Sequence, residues 1–469
     1  MRAVHCSSVA AIFAIGLAMA ATAPGQDGSS QAGAARTRRL ATVGRLPAPA
    51  DVVVEHFVNY HRHGIPLPKA GQDIALDLRW DMPARAGAFD WVLQIGLATA
   101  ELHDVAHARP LNVALVVDCS GSMAEHDKMS RVRTALRRFV ARLRPGDRIA
   151  IVTYSDEAGV ALESGFFEDG ERVRAALERL EPDGCTNLHA GLVLGYSEVA
   201  RHRAPGLTNR VILLTDGIAN CGVTDPDRIA LDSMDFNRRG IDLSTIGVGV
   251  DLNRELLAKL ASSGRGLFHF VADEEDISKV FDREIQSLLG VVARDVELRI
   301  SHGPGVRIER IYGYRPERLE DGYRLELDDF NHGLTNVVIL TLRRCRFHEP
   351  DTRPWVHVRL SYTQPDRTGR RIAIDRETSP PDPCDSRMRG DHEVRKNFTI
   401  AVMARALRKM AELAAADRLG EADRRLSLAL ECVHRYYPTT TDPDLLRMRK
   451  MLEKCRSVLD ARIERFRDL

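Results

Sequence analysis

The pattern of apolar and polar residues changes twice along the chain, near residue 111 and again near residue 290. Before the first change, "DIALDLRWD" and "FDWVLQIGLAT" alternate apolar and polar positions, as half-buried strands do. After the second change the alternation returns in "DVELRI", "VRIERIYGY", "YRLELDD", "TNVVILTLRRC" and "WVHVRLSY". These outer regions therefore predict antiparallel sheet.

The middle region has a different pattern, in which short apolar runs alternate with amphipathic helical segments. The runs "VALVVD", "DRIAIVTYS", "NRVILLTD", "IDLSTIGVGV" and "GLFHFV" predict buried strands. This alternation predicts a doubly wound, Rossmann-like, mostly parallel sheet with a binding crevice at the carboxyl ends of its strands. Since strand-type segments stand on both sides, we expect this α/β domain to be inserted in or flanked by a β-sandwich.

The pattern and the local composition divide the chain into segments. They are a signal peptide (1–23), a disordered linker (24–50), an N-terminal β-rich flanking region (51–107), the α/β domain (108–290), a β-sandwich region (291–375), a second linker (376–391) and a C-terminal helical region (392–469). The last region contains three amphipathic helical segments, which predict a small helical bundle.

The N-terminus has the layout of a secretory signal peptide. Arg2 precedes an apolar segment from Val9 to Ala21, and small residues follow at the predicted cleavage point. The apolar segment is short for a membrane-spanning helix; the alternatives are an uncleaved anchor or a misassigned start codon. We therefore expect export to the periplasm, the cell surface or the medium, and no membrane span in the mature chain.

Net charge indicates which classes of partner to expect, and cysteine content bears on the cellular compartment. The 67 basic and 66 acidic residues give a formal charge of +1, so no bulk field attracts nucleic acid or an anionic membrane. We expect no nucleic-acid partner. Of the eight cysteines, Cys6 lies in the predicted signal peptide, which leaves an odd number in a compartment where disulfides persist.

Three loops at the ends of predicted strands carry acidic and hydroxyl side chains. "VVDCSGSM" places Asp118, Ser120 and Ser122 after the first α/β strand, "DGCTNLHAGL" places Thr186 before a helix, and "LLTDG" places Asp216 after a central strand. Because the carboxyl ends of parallel strands meet at one edge of a sheet, these oxygens would share one crevice. Such hard ligands suit Mg²⁺; the alternative is that these residues only cap helices and turns.

These residues resemble the metal-ion-dependent adhesion site of von Willebrand factor type A domains, over about residues 111–289. The resemblance implies that Ser120 and Ser122 bind Mg²⁺, or Mn²⁺ or Ca²⁺, directly and that Thr186 binds directly or through water. It also implies that Asp118 and Asp216 hold coordinated waters and balance charge. One coordination position would then remain for an acidic side chain of a partner protein.

The flanking segment "FVNYHRHGIPLP" and the outer strands resemble a bacterial family of exported proteins with one such domain between flanking regions. This resemblance leads us to expect an exported, metal-dependent protein-binding protein that acts in adhesion or assembly. The alternatives are a structural envelope component in which the metal only stiffens the loops, and a metal-dependent hydrolase. We assign no catalytic residues, because no nucleophile elbow, phosphate loop or dinucleotide fingerprint is present in the sequence.

Each of the three loops also contains a cysteine: Cys119, Cys185 or Cys221. In an exported protein, Cys185 and Cys221 could form a disulfide that joins two metal-site loops, with Cys119 left as an unpaired thiol. The alternatives are three buried thiols and a soft zinc site.

Two other groups of potential ligands receive weaker interpretations. The histidines at 56, 61 and 63 could form a metal cluster, but we expect exposed turn histidines. "HDVAH" at 103–107 imitates a zinc-protease motif, with aspartate where that motif has its glutamate base. The spacing of Cys432 and Cys455 on adjacent predicted helices argues against a disulfide between them.

Overall fold

The structure is a computed structural model, and it describes residues 32–82, 90–101, 109–168, 170–204, 206–249, 251–271, 280, 290–344, 354–365, 369–381 and 391–467. The strands are β1 (Ile74–Asp81), β2 (Trp91–Thr99), β3 (Leu111–Asp118), β4 (Arg148–Tyr154), β5 (Ala158–Phe166), β6 (Thr208–Thr215), β7 (Asp242–Val248), β8 (Arg265–Val271), β9 (Val291–His302), β10 (Val306–Tyr312), β11 (Glu317–Arg318), β12 (Gly322–Glu326), β13 (Phe330–Asn331), β14 (Thr335–Arg344), β15 (Val356–Thr363) and β16 (Arg371–Thr378). The helices are α1 (Ala32–Thr42), α2 (Val54–Val58), α3 (Lys128–Val140), α4 (Glu171–Glu178), α5 (Leu188–Arg201), α6 (Pro226–Arg238), α7 (Arg254–Ser263), α8 (His392–Ala415), α9 (Leu419–Tyr436) and α10 (Pro443–Arg467), with 3₁₀ turns at Pro49–Asp51 and Gly121–Asp127.

These elements belong to two compact units. Among the described residues, the first, which we call the α/β unit, comprises 32–36 and 109–291. The second, the flanking unit, comprises 37–101 and 292–467. None of the helices within the described ranges is both long and apolar enough to cross a membrane.

The α/β unit contains a six-stranded sheet in the order β5-β4-β3-β6-β7-β8. Strand β5 pairs antiparallel with β4, and the other pairs are parallel. Every residue of β3 is buried, as expected for a parallel strand covered on both faces. The predicted Rossmann-like, mostly parallel sheet is therefore confirmed.

The two faces of this sheet have separate apolar cores. Val113, Leu115 and Val117 lie in one cluster with residues of α3 and α4, whereas Ala114 and Val116 lie in the other with residues of α5, α6 and α7. This division follows from the two-residue repeat of a strand. Alternate apolar residues of β3 thus pack into both cores. This packing fixes the strand inside the sheet, with its carboxyl end near the middle of the sheet edge.

The flanking unit contains two antiparallel sheets. One has the order β1-β2-β14-β10, and the other has the order β11-β12-β9-β15-β16, with β13 paired to β9. Strand β2, which precedes residues 109–291 of the α/β unit in the chain, pairs directly with β14, which follows them. Both sheets contribute to one buried apolar cluster. The finer expectation of a β-sandwich stays a prediction.

Three C-terminal helices complete the flanking unit, as the helical pattern predicted. Helix α8 begins after Asp391, whose side chain accepts hydrogen bonds from the backbone N–H groups of Glu393 and Val394, as a helix N-cap does. Cys432 on α9 and Cys455 on α10 are both free thiols.

The predicted linker at 24–50 is wrong for residues 32–42, which form helix α1. Ala32 and Ala35 lie in an apolar core of the α/β unit, and Leu40 is also buried. Alanine, arginine and leucine favour helix, but small alanines give little hydrophobic periodicity and their burial was missed. The predicted signal peptide and the "HDVAH" segment lie outside the described residues.

Candidate metal centre

Asp118 lies at the carboxyl end of β3 and is completely buried. One carboxylate oxygen, Oδ1, accepts a hydrogen bond from the Ser120 backbone N–H at 2.9 Å. The other, Oδ2, accepts from the hydroxyls of Thr215 at 2.8 Å and Tyr154 at 3.3 Å. Burial raises the pKa of Asp118, against the opposing effect of the hydrogen bonds from Ser120 and Thr215. These three donors fix the orientation of the carboxylate.

The side chains of Ser120, Ser122 and Asp216 form a continuous chain of oxygens. The two serine hydroxyl oxygens are 3.2 Å apart, and the Ser122 hydroxyl donates to Asp216 Oδ1 at 2.8 Å. The backbone N–H of Gly121 donates to the carbonyl oxygen of Gly184 at 3.0 Å. This backbone bond ties the serine loop to the loop that carries the predicted threonine ligand.

Thr186 faces the same space as the serines. Its backbone N–H donates to Asn220 Oδ1 at 2.7 Å, and its carbonyl oxygen accepts from the Asn220 N–H at 3.2 Å. A Cβ added to Gly217 would lie 3.6 Å from Thr186 Oγ1 and 3.9 Å from Ser122 Oγ. Glycine at this position therefore leaves open a space that both hydroxyls border.

A disulfide joins Cys185 to Cys221, with the two Cα atoms 6.2 Å apart. It connects the Thr186 loop to the loop that follows Asp216. Asp156 Oδ1 accepts a hydrogen bond from the Cys185 backbone N–H at 2.6 Å, and a carboxylate oxygen of Asp156 lies within 4.8 Å of both sulfurs. Because both sulfurs are committed to the disulfide, they are not available as thiolates, and the alternative of a soft zinc site is not supported.

Cys119 is a free, buried thiol between Asp118 and Ser120. Burial, together with the negative charge of Asp118, raises its pKa to about 12. Its backbone N–H donates to the Tyr154 carbonyl at 2.8 Å. The residue therefore acts as a small apolar side chain beneath the loop rather than as a reactive thiol.

Lys128 is part of the site, although the sequence analysis missed it. Its ammonium donates to Asp216 Oδ2 at 2.7 Å and to the Ser122 carbonyl at 3.2 Å, and lies 3.9 Å from Glu125 Oε2. Lys128 is the first residue of α3, where the helix dipole disfavours a positive charge. The sequence feature that could have revealed Lys128 is a lysine at the start of a predicted helix, a few residues after "SGS".

The histidines in and after α2 do not form the alternative metal cluster. Within the described residues, the potential ligand atoms of His56, His61 and His63 are not gathered within 4.8 Å as a group of three. The expectation that they are exposed is also wrong, because His56 and His63 are buried. Asn397 on α8 donates to His63 Nδ1 at 3.2 Å, so packing of this helix covers the turn.

The donor set fits a hard divalent cation. The side chains of all five predicted residues offer oxygen atoms. The positively charged Lys128 ammonium contacts one of these side chains, that of Asp216. Oxygen ligands of this kind suit Mg²⁺, Mn²⁺ or Ca²⁺. Ser120 and Ser122 would hold such an ion directly, while Asp118 and Asp216 would balance its charge.

The sequence profile of the von Willebrand factor type A domain matches residues 112–283. Residues 112–283 form a von Willebrand factor type A domain. The resemblance of this part of the sequence to type A domains is thereby confirmed. In such domains the metal-ion-dependent adhesion site binds a divalent metal.

Comparison with known proteins extends the similarity beyond the domain. The chain is 30% identical to the uncharacterized protein YfbK of Escherichia coli K12 over 296 residues, which is 61% of this chain and 51% of YfbK. It is 28% identical to the uncharacterized protein sll0103 of Synechocystis, over 48% of this chain and 53% of that protein. The chain thus spans about half the length of these relatives.

A solved structure has the same fold. A von Willebrand factor type A protein from Catenulispora acidiphila aligns over 77% of this chain and 86% of its own, with a TM-score of 0.51 and 18% sequence identity. At this identity the likeness concerns the fold.

Proposed function

We propose that the protein is an exported binding protein whose type A domain captures a partner protein through a divalent cation, in adhesion or assembly. Type A domains mediate protein–protein interactions, and the cation we propose is Mg²⁺, with Mn²⁺ and Ca²⁺ as the alternatives. The observation that carries the proposal is the convergence of Asp118, Ser120, Ser122, Thr186 and Asp216 on one oxygen-lined edge of the sheet.

When bound, the cation would offer an open coordination position to an acidic side chain of the partner. The protein's own residues prepare this position. Hydrogen bonds from Ser120, Thr215 and Tyr154 hold the Asp118 carboxylate in place before any ion arrives. The disulfide between Cys185 and Cys221 restrains two of the loops. Pre-organisation of this kind lowers the entropic cost of binding.

Binding rather than hydrolysis is the function we favour. The Ser122 hydroxyl donates to the Asp216 carboxylate, and the Asp118 carboxylate already accepts three hydrogen bonds. These acids therefore support the loops and the charge balance, and neither is placed as a free general base for an attacking water.

Calorimetric titration with Mg²⁺ and Mn²⁺ tests the metal part of the proposal. We expect the wild-type chain to bind one ion and Asp118→Asn to bind it about 10- to 100-fold more weakly, because this residue orients the loop and balances charge. Asp235→Asn, which removes a carboxylate that is 67% exposed on α6, is the matched control and should bind as wild type does. Equal binding by Asp118→Asn would overturn the proposal.

Acetate, as a minimal carboxylate, tests the open position. With Mn²⁺ bound, acetate should displace coordinated water and reduce the relaxation of water protons by the ion. Without Mn²⁺, acetate should not protect the chain against thermal unfolding. A relaxation signal that does not respond to acetate, even at saturating Mn²⁺, would contradict capture of a carboxylate.

Export has separate support. The apolar segment from Val9 to Ala21 fits a signal peptide, and the disulfide between Cys185 and Cys221 fits an oxidising compartment. Mass spectrometry of the full chain expressed in a Gram-negative host should find a periplasmic form whose N-terminus follows Ala20 or Ala23. A cytoplasmic form that retains Met1 and reduced cysteines would contradict export.

The remaining alternative is a structural envelope component in which the metal only stiffens the loops. It predicts that metal raises thermal stability but that bound Mn²⁺ shows no response to carboxylates. The acetate titration therefore separates it from metal-bridged capture.

A further inference from the structure

Lys128 places a positive charge beside Asp216, one of the carboxylates that would balance the charge of the proposed cation. Its ammonium lies 2.7 Å from Asp216 Oδ2 and 3.2 Å from the Ser122 carbonyl oxygen. The Asp216 side chain is completely buried, and the Lys128 side chain is 17% exposed. Because little water screens this pair, the charge of the lysine acts strongly on the carboxylate.

The position of Lys128 in its helix is unfavourable for a positive charge. Lys128 begins α3, and a cation at a helix N-terminus is unfavourable because the helix dipole places partial positive charge there. The contact with Asp216 offsets this cost. The aliphatic stem passes beside Gly249 at the end of β7, where an added Cβ would stand 3.4 Å from Lys128 Cε. The ammonium is therefore directed toward the oxygens of the site.

A charge count shows the consequence for a divalent ion. The two carboxylates of Asp118 and Asp216 and the ammonium of Lys128 have a total formal charge of −1. A bound divalent cation changes this total to +1. Without the lysine the loaded site would be neutral. Glu125 lies 3.9 Å from the ammonium, but it is 65% exposed, and water screens its contribution.

We propose that Lys128 is a tethered cation that weakens binding of a divalent ion by itself and makes tight metal binding depend on an external carboxylate. This inference rests on the proposed function and adds to it a coupling between the metal and the ligand. The incoming metal competes with the ammonium for Asp216. An anion at the open position then neutralises the excess positive charge, so metal and carboxylate increase each other's affinity by the same factor.

The test compares Lys128→Met, which keeps the stem and removes the charge, with the wild-type chain in Mn²⁺ titrations with and without acetate. We expect Lys128→Met to bind Mn²⁺ about tenfold more tightly in the absence of acetate. The gain in Mn²⁺ affinity that acetate gives to the wild type should be smaller in this variant, because coordination of acetate to the ion remains while the excess positive charge is gone. Lys128→Arg, which keeps the charge, should retain the coupling.

Lys259→Met is the matched control, since Lys259 is exposed and pairs with Asp227 instead; it should behave as wild type. Lys128→Gln replaces the methionine variant if the latter does not fold, as judged by circular dichroism. Unchanged or weaker Mn²⁺ affinity in the charge-free variant, or unchanged coupling to acetate, would overturn this inference alone. Absence of Mn²⁺ binding in the wild type would overturn the proposed function and the inference with it.

Discussion

The candidate metal centre of the α/β unit and a buried group in the flanking unit, which we call the histidine cluster (Asn59, His63 and Asn397), are both polar, but their charges and hydrogen bonds are balanced differently. At the candidate metal centre, the side-chain oxygens of Ser120, Ser122 and Asp216 lie next to one another. Around His63, Nε2 donates to Asn59 Oδ1 at 3.1 Å and Nδ1 accepts from the Asn397 amide at 3.2 Å, as a neutral imidazole does.

The difference shows what makes a polar cluster a binding site. In the histidine cluster, a neutral imidazole donates to one neutral amide and accepts from another, so these hydrogen bonds need no added ion. The metal centre gathers acceptors and two carboxylates, and it needs a cation to balance them. Lys128 supplies one positive charge, and a divalent ion would change the remaining formal charge from −1 to +1.

The largest effect expected concerns the disulfide that restrains the metal loops. Replacing both cysteines, Cys185→Ser with Cys221→Ser, should lower the free energy of unfolding by about 3 kcal/mol, because the bridge closes a loop with a sequence separation of 36. Urea denaturation measures this loss. Cys432→Ser, at a partly buried free thiol, is the control and should change little. If a reductant leaves the wild-type midpoint unchanged, the stabilising role of the bridge is wrong.

A second effect should appear in the histidine cluster. Asn397→Leu removes the amide that donates to His63 and to Gln94 Oε1. Since both acceptors are buried, we expect a loss of about 2 kcal/mol in the free energy of unfolding, with unchanged Mn²⁺ affinity. Gln72→Leu, the same kind of change at an exposed site, should cost much less. A large change in Mn²⁺ affinity on Asn397→Leu would break the distinction between the two clusters.

The histidine cluster also predicts an acid sensitivity. Burial holds the pKa of His63 well below its ordinary value. The contribution of the neutral His63 side chain to the free energy of unfolding is therefore fully present above about pH 6.5 and declines as the pH falls below that value. The unfolded state binds the proton first, which lowers the free energy of unfolding by up to about 1.4 kcal/mol per pH unit. Thermal melts of His63→Gln should show a shallower acid decline, whereas the exposed control His302→Gln should not.

The smallest effect is expected at Glu125. Its contact with Lys128 is long and exposed, and surface ion pairs contribute little. Glu125→Gln should change Mn²⁺ affinity by less than about twofold in calorimetric titration. A change as large as that of Lys128→Met would mean that the charge count must include this residue.

The sequence predicted the parts of this molecule that depend on repeating patterns. The apolar runs identified the α/β sheet, because every residue of β3 is buried, and strand ends placed the acids and hydroxyls in shared loops. Individual side-chain contacts that no repeating pattern or motif marks were missed. The contact of Lys128 with Asp216 spans 88 residues, and the burial of His63 requires Asn397, 334 residues away.

The central claim is that the oxygen-lined loops hold a divalent cation, and anomalous X-ray diffraction from crystals grown with Mn²⁺ tests it most directly. We predict an anomalous peak bonded to the hydroxyl oxygens of Ser120 and Ser122, with the Lys128 ammonium moved away from Asp216. Crystals of Asp118→Asn grown in the same way should show a much weaker peak. A wild-type map with no peak at these serines, or with its manganese only elsewhere, would contradict the account.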